Sequence, residues 1–123
     1  MKRFGIVLLI VLAMGAAGCS RTKVVPQNEA HMSGNSFLEA SVTVKAGQPV
    51  KFINNPNTAT HVLVVGSNGI WAADPNAPAK LNVQSGMDIT AGTEIDVVFP
   101  TAGTFTVTCT VHPTMLLTVK VTP

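Results

Sequence analysis

The sequence predicts an all-β fold, a β-sandwich of about seven or eight strands. Three observations predict it: apolar and polar residues alternate in several short runs, Gly, Pro and Asn separate these runs, and neither a helical period nor an internal repeat occurs. Short strands divided by turns are typical of β-sandwiches. The chain of 123 residues has room for one such domain.

The first element, residues 1–18, is predicted to be a signal peptide. Lys2 and Arg3 precede an apolar run over residues 4–14, and small residues fill positions 15–18. This charge, length and ending are typical of a secretory signal and not of a membrane span. We therefore expect the mature protein to be extracytoplasmic.

The end of that segment, Ala16-Ala17-Gly18-Cys19, resembles the lipobox of bacterial lipoproteins. In that motif the cysteine is acylated and becomes the first residue after cleavage. Ala16 departs from it, since Leu is more common there. The resemblance implies that Cys19 anchors a periplasmic or cell-surface lipoprotein to a membrane. The alternative is an ordinary secreted protein with an unmodified Cys19.

Residues 19–36 are predicted to form a flexible tether. They are mostly polar or small and keep no period of two or 3.6. His31 and Met32 lie in this segment and are expected to be solvated. Beyond residue 18, six Lys/Arg balance six Asp/Glu. A net charge near zero gives no electrostatic footprint for nucleic acid, and we expect none as a partner.

The strands begin at residue 37, so the domain is predicted to span residues 37–123. Leu38, Ala40, Val42 and Val44 are expected to share the inward face of the first strand. Residues 50–54 and 61–65 form the next two, and residues 66–84 are predicted to be loop with short irregular pieces around Ile70 and Trp71. The remaining strands cover 94–99, 104–109 and 115–121.

Four side chains with soft or borderline donor atoms fall on inward positions or on one loop between strands. Cys109 shares a face with Phe105 and Val107, opposite Thr104, Thr106 and Thr108, and Met115 begins the inward face of the last strand. His112 lies between Cys109 and Met115, and His61 begins an earlier strand. Two imidazoles, one thiolate and a weak thioether suit copper in both oxidation states. A thioether argues against zinc.

The run from Gly103 to Met115, with its Cys-x-x-His-x-x-Met spacing, resembles the C-terminal signature of the cupredoxins, the type I blue-copper proteins such as amicyanin, pseudoazurin and plastocyanin. Residues 42–52 followed by His61 resemble the N-terminal half of that family. The resemblance implies a Greek-key β-sandwich or barrel with one type I copper. It also implies that His61 and His112 bind through imidazole nitrogen, Cys109 through thiolate and Met115 axially.

The function that the resemblance implies is electron transport without enzymatic activity. The partners would be redox proteins, whether a cytochrome, an oxidase or a dehydrogenase, and the protein would be a monomer. His112, Pro113, Thr114 and Leu116 would form the docking surface. Copper enzymes of related fold need further His ligands, and only His31 remains. A periplasmic copper carrier or storage protein is the alternative function.

Two positions depart from the family pattern. Val62 stands where Asn commonly follows the first His, so the usual side-chain tie between the ligand loops is missing; Asn54 or Asn55 could replace it. Val111 stands where Pro is common and keeps its N–H. We expect the Val62 N–H to point at the thiolate and the Val111 N–H to donate to the same sulfur, which would raise the reduction potential.

Overall fold

A computed structural model describes Gly18 and residues 26–123. The predicted signal peptide up to residue 17 and the predicted lipidation site Cys19 lie outside the described residues. None of the described residues forms a helix that could cross a membrane.

The described chain contains ten β-strands and no α-helix. Three of the strands, β2, β6 and β7, have only two or three residues. In chain order the strands are β1 (Glu29–Ser33), β2 (Ser36–Phe37), β3 (Ser41–Lys45), β4 (Pro49–Asn54), β5 (His61–Ser67), β6 (Ile70–Trp71), β7 (Met87–Ile89), β8 (Glu94–Val98), β9 (Gly103–Cys109) and β10 (Leu116–Thr122).

The strands form two mixed sheets. The first has the order β2-β1-β4-β8, and the second has the order β3-β10-β9-β5-β6, with β7 also paired to β5. β1 runs parallel to β4 and β3 runs parallel to β10, while the other pairs are antiparallel. The all-β sandwich is thus confirmed. The strand count exceeds seven or eight because strands of two or three residues are too short to show alternation, and the described sheets do not close into a barrel.

The core lies between the sheets and is built from the inward residues of both. Val50, Phe52 and Val97 come from the first sheet, and Leu63 and Leu117 come from the second. All five are at most 1% exposed. Such burial is the main favourable term in folding, at roughly 25 cal/mol per Å² of apolar surface. Burial of these residues holds β5 and β9 in place, and the predicted ligands His61 and Cys109 lie at the start of β5 and the end of β9.

The predicted tether is wrong for its C-terminal part, since residues 29–33 form β1 and Ser36 begins β2. β1 pairs in parallel with β4, with Met32 opposite Asn54. Ala30 and Met32 are fully buried, and Met32 is therefore not solvated. Only two apolar residues mark this strand, which is too few to show a period. The domain thus begins by Glu29 and not at residue 37.

The first predicted strand also starts too early. Leu38 is 60% exposed and Ala40 is exposed, because the regular strand β3 begins only at Ser41. The segment 66–84, predicted to be loop with irregular pieces, contains the regular two-residue strand β6 over Ile70 and Trp71. The strand β7, just beyond that segment, was not predicted either. Trp71 is partly buried and packs against the core.

Candidate metal centre

The centre is formed where two paired strands end. His61 is the first residue of β5 and Cys109 is the last residue of β9. These strands are antiparallel, with Leu63 opposite Cys109, so the start of one lies beside the end of the other. The loop after β9 then returns His112 to the same place. The structure therefore brings together three of the predicted ligands, His61, Cys109 and His112.

The three donor atoms form a compact triangle. Nδ1 of His61 and Nδ1 of His112 are 3.1 Å apart, and each is 3.8 Å from Sγ of Cys109. The point equidistant from these atoms lies inside the triangle, about 2.1 Å from each, which matches the bond lengths of about 2.0–2.3 Å from first-row metals to imidazole and thiolate. The donor set therefore fits one metal ion without rearrangement.

Burial differs between the two histidines. His61 and Cys109 are fully buried, whereas His112 is half-buried. Burial lowers the pKa of His61 below its ordinary value, and the neighbouring His112 lowers it further. His61 is thus held as the neutral imidazole, which has the free lone pair that a metal requires.

Met115 is placed on the core side of the same loop. It is 1% exposed, and its N–H donates to the carbonyl of His112 at 3.0 Å, which closes the turn between the two residues. A buried thioether three residues after His112 adds a third type of donor, beside imidazole and thiolate, to the same loop.

The Cys109 sulfur accepts one backbone hydrogen bond from the described residues. It comes from the N–H of Val62, 3.4 Å away, as expected. The prediction of a second donor is wrong. The N–H of Val111 makes no hydrogen bond to the sulfur within the described chain, and Val111 is 55% exposed. The loop turns outward directly after Thr110, whose own N–H donates to the carbonyl of Val62.

Asn54 stabilises the approach to His61 but does not reach the Cys109 loop. Its amide donates to the carbonyls of Ala59 and Ile89, at 2.9 and 3.0 Å, and its oxygen accepts from the hydroxyl of Thr58. Ile89 is paired with His61 across β7 and β5. Asn54 thus fixes the segment that leads into His61, and it is not a substitute for the missing tie between the two ligand loops.

Thr108 was placed on the outward face by its parity and was missed as a functional residue. It is fully buried, and its hydroxyl contacts both Gly69 and Met115. Parity cannot show that the hairpin of β5 and β6, about 40 residues earlier in the chain, covers the outer face of β9 at Thr108, so the sequence held no signal for this role.

The chemistry of the donor set favours copper. Two imidazoles and a thiolate in a near-trigonal arrangement, with a thioether nearby, match type I copper sites, whereas structural zinc sites use four Cys or His ligands. The structure therefore agrees with the ion expected from the residue types.

Known proteins place the chain in the same class. Residues 23–122 match the model of the family described as copper binding proteins, plastocyanin/azurin family. The fold is similar to amicyanin from Paracoccus versutus (Thiobacillus versutus), with a TM-score of 0.57 and 22% identity over 76% of this chain and 78% of that one. A reduced amicyanin variant gives a TM-score of 0.55 and 21% identity over 76% and 79% of the two chains. The chain belongs to the plastocyanin/azurin family of copper-binding proteins.

Proposed function

We propose that the protein is an extracytoplasmic electron carrier that holds one type I copper ion through His61, Cys109, His112 and Met115. The observation that carries the proposal is the preformed triangle of two imidazole nitrogens and one sulfur, with sides of 3.1, 3.8 and 3.8 Å. Copper bound there supplies a one-electron couple. Donors that already stand at bonding distance move little between the oxidation states, and small movement favours fast transfer.

His112 is the route by which electrons leave and enter. It is the half-buried one of the two histidines, and the residues around it are apolar and exposed: Val111 and Leu116 are 55% and 48% exposed, and Pro113 is exposed as well. A small apolar patch without charged groups suits short-lived contacts with redox proteins. A cytochrome, an oxidase or a dehydrogenase are the partner classes proposed.

No enzymatic activity is proposed. A catalytic copper would need further imidazoles, and the remaining histidine of the chain, His31, is engaged in β1. Its Nδ1 lies 2.7 Å from Oε1 of Glu39, and its Nε2 lies 3.5 Å from Oε2 of Glu29. The proposed site therefore binds one ion. We also propose that the protein acts as a monomer.

The proposal includes a lipid anchor on Cys19, which rests on the resemblance of residues 16–19 to a lipobox. The anchor would keep the carrier at a periplasmic or cell-surface membrane, where diffusion in two dimensions brings it to its partners. Metabolic labelling with a fatty acid tests this directly. Label on the full-length chain that is lost in Cys19→Ser supports the anchor, and an unlabelled membrane-free chain contradicts it.

A copper carrier or storage protein is the second candidate function, because the same ligands bind copper whether or not electrons are exchanged. The buried thiolate favours the electron carrier. Copper that must be handed on to another protein is better held by exposed donors, whereas Cys109 and His61 are fully buried.

The visible absorption spectrum of the protein with Cu(II) tests the main proposal. An intense thiolate-to-copper charge-transfer band is expected, lost in Cys109→Ser and kept in the matched control Cys19→Ser. Reversible one-electron reduction of that band would complete the case for electron transfer. A colourless but copper-loaded protein would favour the carrier function, and a protein that binds no copper would contradict both.

A further inference from the structure

The turn between β5 and β6 packs against the loop that carries three of the proposed ligands. Asn68 and Gly69 form this turn, with φ values of 53° and 74°, which is typical of a two-residue hairpin. A Cβ placed on Gly69 would lie 2.9 Å from the Cβ of Pro113, the residue after His112. The absence of a side chain at Gly69 therefore allows the turn to touch the ligand loop.

Thr108 connects the same turn to Met115. Its hydroxyl accepts a hydrogen bond from the N–H of Gly69 at 2.9 Å and donates one to the carbonyl of Met115 at 2.8 Å. A hydroxyl has one hydrogen to donate and two lone pairs to accept, so both bonds form at once. Thr108 is fully buried, and water does not replace either bond.

We propose that Thr108 and Gly69 are positioning residues for the axial ligand: through the Thr108 hydroxyl, the β5–β6 turn fixes the backbone of Met115. The proposal rests on the proposed function, because it takes Met115 as the axial ligand of copper. It goes beyond that function by assigning the position of this ligand to residues on another part of the chain.

The physical reason lies in the flexibility of methionine. Its unbranched side chain has three rotatable bonds and does not fix its own sulfur. The backbone of Met115 is held on one side by its N–H bond to His112 and on the other by the bond from Thr108. The axial ligand tunes the reduction potential of such sites, and mutation of residues that orient a ligand typically costs about 10–100-fold in metal affinity or activity.

A first test needs neither copper nor a variant. Amide hydrogen exchange of the copper-free protein reports whether the N–H of Gly69 is bonded. The structure predicts that it exchanges at least ~100-fold more slowly than a free amide, although it lies in a surface turn. Exchange at the rate of an open turn would overturn the proposal. Because this test is independent of copper, it separates a failed positioning role from a failed copper site.

A second test compares Thr108 variants of the copper-loaded protein. Thr108→Val keeps the shape but removes both bonds, and Thr108→Ser keeps the hydroxyl. Thr108→Val is expected to shift the reduction potential and the relative intensities of the visible bands, and to release the Gly69 amide to faster exchange. Thr108→Ser is expected to keep all three near the wild-type values.

Two control variants separate positioning from loss of stability. Thr106→Val makes the same change two residues earlier on β9, where the hydroxyl bonds to no described residue. Val44→Ala removes core contacts in β3, whose partner Val121 lies at the far end of β10 from the loop. Neither is expected to shift the potential. An unchanged potential and spectrum in Thr108→Val, or equal shifts in Thr108→Ser, would overturn the proposal.

Gly69→Ala provides an independent variant should Thr108→Val fail to fold. The added methyl group would press on Pro113, and the positive φ of residue 69 disfavours alanine. A changed visible spectrum in Gly69→Ala, with Gly92→Ala as the open-turn control of similar φ, supports the contact. Identical spectra for both variants would overturn it.

Discussion

The backbone N–H of Val62 points at the sulfur of Cys109, with 3.4 Å between nitrogen and sulfur. It is the one N–H donor to that sulfur within the part of the chain that the structure describes. Val62, the residue after the ligand His61, thus contributes a backbone hydrogen bond to the site, although its side chain lacks the amide of the Asn expected at this position. No N–H of the loop between Cys109 and His112 donates a hydrogen bond to that sulfur among the described residues.

Val111→Pro is therefore expected to change the reduction potential by less than about 60 mV. That limit corresponds to a tenfold change in the equilibrium constant of a one-electron couple. Proline removes an N–H that makes no bond to the sulfur. Voltammetry of the copper-loaded variant checks this, with the visible band as evidence of an intact site. A larger fall in potential would show that the Val111 N–H does donate to the thiolate.

Asn54→Ala is expected to lower the free energy of unfolding by about 2–4 kcal/mol, because it leaves the carbonyls of Ala59 and Ile89 without their partner. Copper affinity should fall about 10–100-fold, since the segment before His61 is no longer fixed. Denaturant unfolding and copper titration measure the two effects. Asn55→Ala, whose side chain bonds to no described residue, is the control. Equal effects from both would contradict this role.

Met32→Ala is expected to cost about 2–5 kcal/mol of stability, the usual loss for a fully buried methionine. The result would establish β1 as part of the domain in solution. Leu38→Ala, at a position that is 60% exposed, should change stability by less than about 0.5 kcal/mol. If Met32→Ala were as harmless as Leu38→Ala in denaturant unfolding, β1 would not be docked on β4.

The copper-free protein is expected to lose stability as the pH falls below 6.5. The pKa of His61 is lower in the folded protein than its ordinary 6.5, so the unfolded chain takes up the proton first and protonation favours unfolding. Neutral His61 therefore makes its full contribution to the free energy of unfolding above pH 6.5. Below that pH the free energy of unfolding falls by at most about 1.4 kcal/mol per pH unit for this one group. Unfolding curves between about pH 5 and 7.5 measure this change. His61→Gln should have a flatter profile, and an identical profile would exclude His61 as the cause.

The ligand set could be predicted because strand parity is a local property. Cys109 ends the long strand β9 and Met115 directly precedes the long strand β10, both of which alternate clearly, and the burial of both residues is confirmed. β1 could not be predicted, because its burial comes from pairing with β4, about 20 residues later in the chain. The same reason applies to Leu38. The alternation of apolar and polar residues already includes Leu38, but the pairing of β3 with β10 begins only at Ser41.

The residues around the ligands were harder to predict than the ligands. Thr108 carries the outward parity of β9, yet the β5–β6 turn covers it. Asn54 was a candidate for the side-chain link between the two ligand loops, but its amide donates to the carbonyls of Ala59 and Ile89 instead. Both roles depend on which segment folds over the strand, and that information is not local.

The spacing of the proposed ligands along the chain predicts an order of assembly for the copper site. Cys109 and His112 are three residues apart, whereas Cys109 and His61 are 48 apart. Closing the longer loop costs about 2.5 kcal/mol more in chain entropy. Before folding, copper would therefore be captured by the short segment alone, and His61 would join last. Copper bound by the short segment of the unfolded chain would reduce the rise in melting temperature on adding copper, so that this rise would understate the affinity of the folded protein.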